Sequence, residues 1–169
     1  MEKTDFIGYE YLDVTINKEL EAIYIDSYLN FGWQLDRISP ALQPNTTLSF
    51  KRNRKLPNKA ELTRLQRKFN GIIADINSLE HSKRLIPATT AYLMGLIGSG
   101  FMAGSVFALR NGHVPLTIVL ALPAFLGWVM PYFVYRRLTA KRSMHLSPII
   151  EEKFDDLYAL TKEANQLLT

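Results

Sequence analysis

LIPATTAYLMGLIGSGFMAGSVFAL, residues Leu85 to Leu109, and NGHVPLTIVLALPAFLGWVMPYFVY, residues Asn111 to Tyr135, hold no charged side chain, and Arg110 alone separates them. Each run is 25 residues long, above the roughly 20 that an α-helix needs to cross about 30 Å of hydrocarbon at 1.5 Å per residue. The connector, Arg110-Asn-Gly-His113, is too short to be a domain. The pair therefore reads as a two-span transmembrane helical hairpin. The alternative, two buried helices of a soluble protein, is disfavoured because such helices rarely stay uncharged for so long.

Outward from the hairpin, charge sets the expected orientation. Lys83 and Arg84 precede the first run, and Arg136, Arg137, Lys141 and Arg142 follow the second. Only Arg110 and His113 lie in the loop between. This bias places both termini in the cytoplasm and makes the chain a multi-pass protein of the cell (inner) membrane. The segment MEKTDFIGYEYLDV has no apolar core of the kind a cleavable signal peptide needs, so the first span is expected to act as the insertion signal. Over the 169 residues the net charge is +4, yet residues 1–50 sum to −5 and residues 51–85 to +7. There is no cysteine, which excludes disulfides, thiolate zinc sites and redox pairs.

The N-terminal flank changes period several times. Leu12, Val14 and Ile16 alternate within residues 9–16, the pattern of a strand. From Lys18 to Phe31, Leu20, Ile23, Tyr24, Ser27/Tyr28 and Phe31 form a helical stripe, and Gly32 supplies the stop. Residues 33–38 and 46–52 return to strand character around a turn rich in Pro and Asn. The order is β-α-β-β, and so small a unit buries little apolar surface alone, so pairing with a second copy or a partner is expected.

Asn58-Lys-Ala-Glu61 resembles a capping box at the start of a helix. Leu62, Leu65, Phe69, Ile72, Ile76 and Leu79 then recur at alternating spacings of three and four, the seam of a coiled coil. Beyond the hairpin, Ser147-Pro148 is expected to open a further helix as N-cap and first helical residue. Its stripe runs through Ile150, Phe154, Leu157, Thr161, Ala164 and Leu168. The two helices are expected to pair as an antiparallel stalk.

Nothing in the pattern spells a reaction. His81, His113 and His145 fall on different sides of the proposed membrane, so they cannot converge on a metal, and no phosphate loop, zinc-protease motif or nucleophile elbow occurs. No cofactor, metal ligand or catalytic residue is assigned. Within the first span Gly95, Gly98, Gly100 and Gly104 form a small-residue surface that lets helices approach closely in lipid. It serves either the chain's own hairpin or association between chains. The hydroxyls of the spans are each expected to bond their own backbone, and Pro123 is expected to bend the second span. Lys51, Arg52, Arg54 and Lys55 form a basic run whose readings are contact with an acidic partner or another copy, solvated surface, or lipid headgroups. Nucleic acid is disfavoured, because no aromatic base-stacking surface accompanies it. Arg136, Arg137, Lys141 and Arg142 make a second basic group suited to a partner or to headgroups.

Tyr9-Glu-Tyr-Leu-Asp-Val14, Phe31-Gly-Trp-Gln-Leu35 and Leu48-Ser-Phe-Lys-Arg52 together resemble a small uncharacterised bacterial domain family with an opening strand, a helix ending in Gly-Trp-x-Leu and a closing strand ending in Phe-Lys-Arg. The resemblance covers residues 8–54 and implies the β-α-β-β fold without an activity. The expected organisation is an α+β membrane protein. A cytoplasmic head (residues 1–56) and a stalk helix (57–84) precede spans 85–109 and 114–135, which flank an external loop (110–113). A cytoplasmic linker and C-terminal stalk helix (136–169) close the chain. The expected role is a non-enzymatic membrane scaffold or accessory subunit, a homo-oligomer or the binder of a membrane or cytoplasmic protein, in contact with membrane lipids. The alternative is an oligomeric channel or transporter component whose path forms between copies.

Overall fold

The computed structural model describes residues 8–168. The chain forms two compact units, one of residues up to Ala74 together with those from Lys153 onward, the other Asp75–Glu152.

In the first unit, β1 (Tyr9–Asn17), α1 (Glu21–Asn30), β2 (Gln34–Pro40) and β3 (Asn45–Asn53) follow in that order, and the strands form an antiparallel sheet ordered β1-β3-β2. A single 3-10 turn, Lys18–Leu20, replaces the expected first turn of α1, with the Asn17 side chain accepting from the Glu19 N–H. The helix stops where Gly32 predicted. Gly32 has φ +81°, its N–H donates to the Leu29 carbonyl and the Trp33 N–H to the Tyr28 carbonyl, the paired bonds of a Schellman cap. The central strand β3 alternates cleanly, with Thr46, Leu48, Phe50 and Arg52 buried on one face. On β1, Ile16, Val14, Leu12 and Glu10 stand opposite those four residues in turn.

The core is aromatic. Tyr28 stacks on Phe50 at 4.7 Å between ring centroids, and Phe69 meets Tyr24 at 5.4 Å and Phe31 at 5.6 Å. Each such buried side chain contributes on the order of 1.5–3 kcal/mol. Burial, with Tyr28 beside it, pushes the Tyr24 phenol up to about 12.

Phe69 belongs to α2 (Lys59–Arg110), and the chain ends in α3 (Val114–Gln166). Leu62, Leu65 and Phe69 are fully buried, Phe69 against the aromatic core, so the start of the expected seam turns toward the sheet-bearing part of this unit. Farther along α2, Ile73 and Ile76 are buried while Ile72 and Leu79 are only half-buried. Of the expected α3 stripe, Ile150, Leu157 and Ala164 are buried, with Leu160 alongside them.

Of two helix-boundary expectations one holds and one is corrected. α2 starts at Lys59, directly after Asn58 as expected, but without the capping box: Asn58 has φ 54°, its amide donates to the Leu167 carbonyl, and Glu61 pairs with Arg64 instead of reaching back. Ser147-Pro148 does not open a helix, because α3 passes through both residues and through the segment read as a linker. The stretch 138–146 supplies Leu, Ala, Lys, Arg and Met, strong helix formers that carry the helix into Pro148 despite the lost N–H.

In the second unit, α2 and α3 are joined by Asn111-Gly112-His113. Gly112 has φ +79°, the His113 N–H donates to the Ala108 carbonyl and the Gly112 N–H to the Leu109 carbonyl, a second Schellman cap. Both helices are long and apolar enough to cross a membrane, and their apolar stretches are largely uncovered by the rest of the chain. Pro87, Pro123 and Pro131 all lie inside them.

Candidate functional site

The structure divides the small-residue surface of the first apolar run. A Cβ on Gly98 would stand 3.0 Å from the Gly127 backbone, and one on Gly127 only 2.6 Å from Gly98 Cα. These two glycines are where the helices touch backbone to backbone. Gly104 makes ordinary contact with Leu120, whereas Gly95 and Gly100 have open space where a side chain would be. The Gly100-xxx-Gly104 pair is therefore not one intrachain face. Gly127 was missed by sequence reasoning, and the available signal was that it is the only glycine of the second uncharged run beyond the turn.

Ser105 also departs from expectation. Its hydroxyl donates to the Thr117 carbonyl across the hairpin at 2.9 Å. Thr89, Thr90, Ser99 and Thr117 bond backbone carbonyls three or four residues back, as expected. Gly98, Gly104 and Ser105 thus align the two helices in one antiparallel register.

The first basic run does not form one surface. Lys51 bonds Asp36 at 2.8 Å on the exposed side of the sheet, and the pair holds the Asp36 carboxyl below and the Lys51 amine above their ordinary values. Arg52 is turned the other way and is 4% exposed. Its Nε donates to Glu10 at 2.6 Å, its other nitrogens reach the Phe31 carbonyl and Thr63, and its guanidinium lies 4.3 Å over the Trp33 ring. Lys59 adds a second bond to Glu10 at 2.6 Å. Burial works to raise the Glu10 carboxyl, and the Lys59 and Arg52 bonds outweigh it, so the carboxyl stays below its usual range. Arg52 is therefore a core cation, and its place as a partner contact is withdrawn: alternation along β3 puts it on the inner face with Leu48 and Phe50. Arg54 and Lys55 remain exposed. On α2, Lys59, Ala60, Thr63, Arg64 and Arg67 line an open, basic hollow of about 530 Å³.

The second basic group behaves differently. Arg136, Arg137 and Lys141 are exposed and Arg142 is half-buried, and among the described residues none of the four meets a carboxylate. Lys83 bonds Glu80 at 2.8 Å and is largely covered, at 13% exposure. No group of three or more potential metal ligands converges among the described residues.

No family model, no curated protein and no solved structure matches this chain.

Proposed function

We propose that the protein is an integral protein of the cell (inner) membrane, spanning it twice with both termini in the cytoplasm. It acts as a non-enzymatic scaffold or accessory subunit through self-association. The observation that carries this reading is the division of labour among the glycines. Gly98 and Gly127 already bring the two helices of one chain together, while Gly95 and Gly100, on different sides of α2, each face open space where the apolar run is uncovered. In lipid, where no hydrophobic force drives helices together, close approach at small residues supplies the attraction. Interchain packing is the use this reading gives them.

The test is assembly size. The full chain, purified in mild detergent, is expected to run as a discrete oligomer on chromatography with light scattering. Gly95→Leu combined with Gly100→Leu is expected to reduce it to monomer while leaving the helical circular dichroism intact. An unchanged oligomer in that variant, or a monomeric wild type, would sink the reading.

A further inference from the structure

From His81 to Ile150 the chain carries seven Lys and Arg residues and no carboxylate over 70 residues. Six of the seven gather at one end of the hairpin. Gly98 faces Gly127, and 15 residues back along α2 stands Lys83, while 15 onward along α3 stands Arg142. The antiparallel register therefore carries Lys83 and Arg84 to the level of Lys141 and Arg142. Arg136 and Arg137 lie about one and a half turns nearer the apolar run.

Orientation in a membrane requires basic residues near the ends of spans. It does not require their side chains to be covered. Here Lys83 is 13% exposed with a single partner, Glu80, and Arg142 is half-buried without a carboxylate among the described residues. One turn from Arg142 on the same face of α3, the Thr139 hydroxyl oxygen is the one fully covered side-chain polar atom among the described residues with no hydrogen-bond partner. A donor left unpaired in a covered place costs on the order of 1–3 kcal/mol. Six cations gathered at this end of the hairpin, with Glu80 the one carboxylate that meets any of them among the described residues, call for an anion with several acceptor oxygens.

We infer that this collar holds the phosphate of an anionic phospholipid, with Lys83 and Arg142 supplying charge from the two helices and Thr139 a hydroxyl. The inference rests on the membrane reading above. In that reading the collar lies just past the end of the apolar runs, at the depth of lipid phosphates and not of free phosphate in bulk water. Arg84, Arg136, Arg137 and Lys141 form the outer ring that draws the headgroup in.

Native mass spectrometry of the full chain in detergent, titrated with phosphatidylglycerol or phosphatidylcholine, tests it. Phosphatidylglycerol is expected to be retained preferentially and to be released by salt. Lys83→Gln with Arg142→Gln is expected to weaken its retention about 30-fold, at the usual worth of two basic residues near headgroups. Arg110→Gln, at the opposite end of the hairpin, is expected to change nothing. Equal retention of the two lipids, salt-insensitive retention in the wild type, or a double variant that binds like wild type overturns the inference. Alkaline carbonate extraction separates the two ideas: protein released from cell membranes defeats the membrane reading itself, whereas protein that stays without lipid preference defeats only the collar.

Discussion

Arg52 holds together parts of the chain that are far apart in sequence: Glu10 on β1, the Phe31 carbonyl at the end of α1, the Trp33 ring and Thr63 on α2. A buried guanidinium is tolerable only when its donors are met, and here an ion pair, a carbonyl, a hydroxyl and an aromatic face meet them. Trp33 is fixed from its other side as well, its Nε1 donating to Gln66 at 2.9 Å. Glu10 is the member of this group that titrates within reach. Because its folded carboxyl lies below its usual value, its contribution to stability is complete above the unfolded value, about 4.3. It is lost as pH falls through the lower folded value. Denaturant unfolding followed by Trp33 fluorescence, in a Trp128→Phe background, is expected to show wild type more stable than Glu10→Gln at neutral pH. The gap is expected to close as pH drops below about 4; a gap independent of pH would refute the role given to the Glu10 charge.

At the scale of elements, the hairpin is decided by two glycines on different helices. Adding one methyl group at Gly127 places it 2.6 Å from Gly98 Cα, a backbone atom that cannot swing aside, whereas a methyl at Gly95 meets nothing. Gly→Ala within a helix otherwise favours the helix by roughly 1 kcal/mol. The two substitutions should therefore differ in sign. Gly127→Ala is expected to destabilise by about 1–3 kcal/mol, the usual range for overpacking, and Gly95→Ala to be neutral or mildly stabilising. Titration of refolded protein with a denaturing detergent, read by circular dichroism, checks both. The ends of α1 and of α2 follow a different logic: each closes on a Gly with positive φ, a local requirement that needs no partner helix.

At the scale of the whole molecule, the proposed orientation depends on where the charges stand along the chain. Six Lys or Arg residues flank the outer ends of the apolar runs, and Arg110 alone sits between them. Since the chain has no native cysteine, single cysteines report topology without background. In intact cells, a cysteine replacing Asn111 is expected to react with a membrane-impermeant maleimide and one replacing Ser143 only after lysis. The reverse pattern would invert the orientation, and equal labelling of both in intact cells would remove it.

The apolar runs, the β-α-β-β order and the glycine stop at Gly32 were legible in the sequence, because each rests on a property the local chain carries by itself: absence of charge over a fixed length, side-chain period, or freedom at φ. Arg52 was not legible as a core residue, since a basic run looks like surface until strand alternation is combined with what lies beneath the sheet. Nor could the pattern choose between Ile72 and Ile73, two equal side chains 100° apart on the helix, or select Gly127 as the partner of Gly98. The unbroken passage of α3 through Pro148 likewise ran against a local signal that favours a helix start. The sequence by itself determined which segments of the head are strands and helix and where the lipid-length runs lie. Only the tertiary structure decided which faces meet, because burial depends on the surface across the gap and not on the residue alone.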